Sequence, residues 1–256
     1  MAFLKNAINA LDPAPDKKTE LTLALNLLFE LAQQKNDSFQ NAIKENLRTA
    51  GTENNRTVPV KEILAWHKET RAYVKADAGS LVDKVTDAVR DFISGGADNI
   101  VSGIGKLVTT GLEAIIGAGT GTQAEMSSYY IVVQSYGIAR YDIYAWSRHI
   151  EATGITTQIE TALAFTAAQS SVDVNKITYN TFLIAYGDQL SKMGFTPQEI
   201  EEYLDYAEKI FNKLRSGDAD MAARENMALG ARGGLAPSMA LGSDFHSPGT
   251  FKGTLW

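Results

Sequence analysis

The chain has 256 residues with 45% apolar and 21% charged side chains, ordinary globular usage that excludes collagen-like, disulfide-scaffold and wholly disordered classes. It has no cysteine, which removes disulfide frameworks, thiolate metal sites, iron–sulfur clusters and cysteine nucleophiles. Net charge is −6, and even the most basic stretch, residues 1–76, holds 11 basic against 9 acidic groups, too little to face a run of phosphates, so nucleic acid is not an expected partner.

In chain order, residues 3–11 suggest a short helix ended by Asp12-Pro13-Ala14-Pro15. Leu21, Leu25, Leu28 and Leu31 at helical spacing predict a helix over 16–35, followed by another over 38–49 closed by Gly51. Pro59 suits the first turn of a helix reaching about Ala76. Residues 79–116 form one amphipathic pattern, and the Gly117-Ala118-Gly119-Thr120-Gly121-Thr122 run breaks it. Helices are then expected over 123–150, 155–171 and 173–193. Thr196-Pro197-Gln198-Glu199 reads as a capping box opening a helix to Arg215, and 218–228 adds a short one. From Leu229 the composition turns to glycine and proline with few charges. The expected architecture is all-α: about eight helices in one domain over 1–228, a central helical hairpin over 79–150, and a non-helical tail over 229–256.

The segment 79–116 carries the most information. Val82, Val85, Val89, Ile93, Ile100, Ile104, Val108, Leu112 and Ile115 lie on one helical stripe, and Val82, Ile93, Ile104 and Ile115 recur every eleven residues. As one rod it would be about 55 Å long. Gly95, Gly96, Gly103 and Gly105 interrupt it, each costing roughly 1 kcal/mol against alanine inside a helix. With Gly117, Gly119 and Gly121, they are the candidate hinges. In 123–150, Tyr129, Tyr130, Tyr136, Tyr141, Tyr144 and Trp146 crowd together. Such rings, apolar with polar tips, suit an interface or a half-wet surface.

The supply of catalytic groups is thin. His67, His149 and His246 are far apart, and no H-E-x-x-H or E-x-x-H unit occurs. Asp218-Ala219-Asp220 lacks the rest of a calcium loop, and Gly103-Ile104-Gly105-Lys106 lacks the spacing and preceding strand of a phosphate loop. The chain is therefore read as a non-enzyme with no cofactor and no metal, an enzyme with a scattered site being the remote option.

Three readings of the hairpin compete. It is the core pair of a bundle, or it meets lipid after rearrangement, or it mediates assembly. In pattern only, it resembles the glycine-containing amphipathic hairpins of helical pore-forming proteins. The leading expectation is a membrane-active or pore-forming, toxin-like protein, soluble at rest, that self-associates. In it, Val82, Val85, Val89, Ile93, Ile100, Ile104 and Ile115 contact membrane or partner. The alternative is a structural subunit of a homo-oligomeric or filamentous assembly. There the tail, with Phe245, Phe251 and Trp256 as anchors, contacts neighbours. Expected partners are copies of itself and, in the first reading, a lipid surface. No signal peptide or resting transmembrane segment is read from the sequence, which leaves a cytoplasmic location or export without such a peptide.

Overall fold

The computed structural model describes residues 15–74, 78–93, 97–116, 123–151 and 159–231. It overturns the all-α expectation: among the described residues there are five helices and a four-stranded antiparallel sheet.

The first helix, α1, runs unbroken from Pro15 to Thr49, although Asn36-Asp37 reads as a break. Asparagine inside a helix usually competes for its own backbone. Asn36 is buried and spends its amide on the sheet instead. Its Nδ2 donates to the Glu69 carbonyl and to Thr70 Oγ1, each at 2.8 Å, and its Oδ1 accepts from Thr166 Oγ1 at 2.9 Å. Leu28, Ala32, Phe39, Ile43 and Leu47 are buried along the same side. The helix closes at Gly51, whose φ of +82° takes the left-handed region, and whose N–H donates to the Asn55 carbonyl at 2.8 Å.

Residues expected as three helices are strands. The stretch 59–76 contains β1 (Val60–Val74). The stretch 123–150 is a hairpin of β2 (Gln123–Gln134) and β3 (Gly137–Glu151), and 155–171 contains β4 (Ile159–Val172). The Gln134–Gly137 pair closes a two-residue turn at Ser135-Tyr136. Strands β2, β3 and β4 form a meander and β1 joins the free side of β4, giving the order β1-β4-β3-β2. The β3–β4 register places Tyr144 beside Thr166 and Trp146 beside Ala164 on the α1 face. Ile143 beside Ala167 and Ala145 beside Phe165 fall on the other. Both faces of β3 and β4 are buried, so neither strand shows clean alternation. Ala162, Ala164 and Ala168, which read as helix formers, lie under α1, where small side chains let the helix approach.

The second face of the sheet carries two helical pairs. The 55 Å rod does not exist. Residues 79–116 divide into α2 (Ala78–Phe92) and α3 (Asp98–Ile116), folded back on each other. Thr86 Oγ1 and Thr109 Oγ1 are 3.0 Å apart across the pair, and Arg90 lies against Gly105. The next pair is α4 (Tyr179–Lys192) and α5 (Pro197–Ala231). It packs Phe182, Tyr186, Leu190, Ala207 and Phe211 into the same core as the α2–α3 pair. The capping box opens α5: Thr196 N–H donates to Glu199 Oε2 at 2.8 Å and Glu199 N–H to Thr196 Oγ1 at 3.4 Å. That helix continues to Ala231, so the non-helical tail does not begin at Leu229.

Candidate interaction surface

The apolar residues expected to contact membrane or a partner, Val82, Val85, Val89, Ile93, Ile100, Ile104 and Ile115, are sealed inside. With Val108 and Leu112 of the same stripe, all nine are buried in the core shared with the sheet. Exposing a buried aliphatic side chain costs about 1.5–3 kcal/mol, so freeing all nine costs on the order of 13 kcal/mol or more, comparable to a domain's whole net stability. No helix among the described residues is long and apolar enough to cross a membrane. The helical hairpin of the pore-forming, toxin-like reading is therefore replaced by a two-helix pair plus two strands.

Two of the expected hinges are packing glycines. A Cβ on Gly103 would sit 2.9 Å from Met193 Sδ and 3.2 Å from its Cβ, and one on Gly105 would sit 2.6 Å from Arg90 Nε. Gly95, Gly96, Gly117, Gly119 and Gly121 lie outside the described residues, as do Phe245, Phe251, Trp256 and His246.

Three polar clusters were not legible as such. Arg140 and Asp142 are buried together on the α1 face, paired at 2.6 and 3.0 Å. Arg140 also donates to the Val58 carbonyl, Thr57 Oγ1 and Asn46 Oδ1, and lies under the Tyr129 ring at 4.3 Å. Every contact ties α1, the β1 approach and the sheet together. Burial pushes the Asp142 carboxyl up, more than Arg140 recovers. His149 is also buried: Ser147 Oγ donates to the Ile115 carbonyl, His149 Nε2 lies 3.4 Å from it, and His149 Nδ1 lies 2.8 Å from Thr161 Oγ1. Ser147 thus caps the end of α3. On β1, burial raises the Glu69 carboxyl, but His67 and Arg71 outweigh it and hold the group below its ordinary value.

Between α2 and α3 an open groove of about 440 Å³ is lined by Asp83, Thr86, Asp87, Arg90, Lys106, Thr109 and Thr110. Asp87 pairs with Arg90 at 3.2 Å and Thr86 with Thr109. Thr110 Oγ1 donates to the Lys106 carbonyl at 3.0 Å. Among the described residues no group of three or more His, Asp or Glu is placed to hold a metal ion.

Among the described residues, the feature that stands apart is an uncovered corner of the first sheet face at residues 123–127 of β2; Arg140, Asp142 and Trp146 of β3 and Ile131 of β2 are buried on that face. Strands lie about 4.8 Å apart and a helix with side chains is about 10 Å across, so one helix covers about two strands. The second face has four helices. Among the described residues the first has α1 alone, which packs over β1 and β4, touches β3, and reaches β2 through the Lys35–Glu125 ion pair. Gln123, Glu125 and Ser127 are exposed there, with the half-buried rings of Tyr129 and Tyr144 beside them. Phe39 meets Tyr144 edge-on at 5.5 Å and forms the wall of this ledge. Burial raises the Tyr129 and Tyr144 hydroxyls, so both are neutral donors at ordinary pH.

The ledge ends at an open backbone edge. Ile131 N–H donates to Gln189 Oε1 at 2.6 Å, and Gln189 Nε2 donates to the Ile131 carbonyl at 2.8 Å. Both backbone groups of Ile131 therefore point away from β3. The β2–β3 ladder has no register shift, so strict alternation turns the N–H and C=O of Tyr129, Ser127, Glu125 and Gln123 outward too. Among the described residues no hydrogen bond reaches the outward backbone groups of those four. The opposite edge, β1, is defended differently. It is bulged between Val60 and Ala65 and carries Lys61, Glu62, Lys68 and Arg71.

No family model, curated protein or solved structure matches this chain.

Proposed function

We propose that the chain is a structural subunit that assembles with copies of itself. The observation behind this reading is the uncovered corner at residues 123–127 of β2, bordered by the edge Gln123–Tyr129, whose outward backbone groups meet no partner among the described residues. Long unprotected edges template pairing with another chain, and tyrosine-rich, partly wet surfaces are typical of association sites. Leu23 and Leu27, four residues apart on α1 and 59% and 65% exposed, add a second apolar spot. In this reading the C-terminal residues Phe245, Phe251 and Trp256 reach neighbouring copies.

The test is mass against concentration. Light scattering from about 1 to about 100 µM, the range of weak and moderate interfaces, should give mass rising above the 27.8 kDa of one chain. Removing residues 232–256 should weaken that rise. A single-chain mass at every concentration contradicts the proposal.

A further inference from the structure

Resting on the self-assembly reading, we infer that two copies pair antiparallel through β2, about a two-fold axis at Met126, joining their sheets edge to edge.

The self-complementarity of the described edge selects the partner. Among the described residues of this edge, four offer outward backbone groups: Gln123, Glu125, Ser127 and Tyr129. The edge stops at Ile131, whose groups Gln189 has taken. Antiparallel pairing bonds outward residues to outward residues. With the axis at Met126, Glu125 faces Ser127 of the copy and Gln123 faces Tyr129. All four positions on each copy are then used, forming about eight backbone hydrogen bonds, and both Gln189 caps fall just outside the paired stretch.

Neighbouring registers fail. An axis at Ser127 sets Gln123 against the already capped Ile131. An axis at Glu125 sets the two Glu125 carboxylates opposite each other, a destabilising like-charge pair. A symmetric interface must be complementary to itself, and the Met126 register satisfies that with no facing like charges.

The absence of cysteine makes the test clean. Glu125→Cys and Ser127→Cys are prepared as separate variants at exposed positions. In the inferred register, residue 125 of one copy and 127 of the other have Cα atoms about 5.5 Å apart, within disulfide reach, whereas identical positions lie beyond about 7 Å. Mild oxidation of the mixture should double the mass from 27.8 kDa, while each variant alone stays single. Equal crosslinking by either variant alone overturns the register. No crosslinking in the mixture overturns it too, and the mass of the unaltered chain then separates the cases. An oligomer leaves self-assembly standing through another surface; a monomer removes both.

Discussion

Gln189 holds Ile131 the way a neighbouring strand would, one side-chain amide meeting both the N–H and the carbonyl of a single β2 residue. The contact does two things. It satisfies a buried backbone pair and it ends the exposed edge of the sheet.

Replacing Gln189 with Leu should therefore act twice. Leaving a buried donor and acceptor unmatched costs about 1–3 kcal/mol for each group, so the midpoint of chemical denaturation should fall. The lengthened open edge should also raise the tendency to aggregate, read by turbidity on mild heating.

Asp142→Asn should be among the most damaging single changes. It leaves the Arg140 guanidinium charged and buried without its carboxylate, a loss of about 3–5 kcal/mol. Denaturation of D142N beside the unaltered chain measures it. A change under about 1 kcal/mol would show that the remaining Arg140 contacts suffice.

Gly103→Ala and Gly105→Ala separate packing from hinging. Alanine gains about 1 kcal/mol of helix propensity at either site. At Gly103 the new methyl meets the Met193 side chain down to its Cβ, so strain of about 1–3 kcal/mol should dominate and destabilise. At Gly105 the obstacle is the half-exposed Arg90 side chain, which can swing aside. G105A should be neutral or stabilising. Thermal melts of the two variants decide this.

Glu69 gives a pH signature. Its folded pKa lies below the ordinary 4.5, so its pairing with Arg71 contributes fully above the unfolded value and is lost as pH falls through the folded one. The stability gap between the unaltered chain and Glu69→Gln should be widest near about pH 7 and shrink toward about pH 3. A gap independent of pH would assign the loss to packing.

Ile104→Asp places a carboxylate at a fully buried position. An unpaired buried charge is among the costliest substitutions, so the variant should lose its cooperative melt, read by circular dichroism.

Local signals were legible and long-range ones were not. The Thr196–Glu199 capping box sits within four residues and could be read directly. The apolar stripe from Val82 to Ile115 was recognisable, but which surface would receive it was not. The strands were hidden by what they pack against. β4 is rich in alanine because α1 lies close on it, and β3 buries Arg140 and Asp142 where alternation would expose polar residues. The β-branched run Ile131-Val132-Val133, beside Tyr129 and Tyr130, was the strand signal available. Asn36 read as a break because its partners Glu69, Thr70 and Thr166 lie on distant strands. Gln189 carried no local mark, since its partner lies 58 residues away.

The most direct test of β2 as the association edge is amide hydrogen exchange at Glu125, Ser127 and Tyr129, followed against protein concentration. These amides point away from β3 and exchange quickly in a single copy. Pairing slows them, so their protection should grow with concentration while that of Ile131, already bonded to Gln189, changes little. Fast exchange at all three positions in samples shown to be oligomeric would place the contact elsewhere on the molecule.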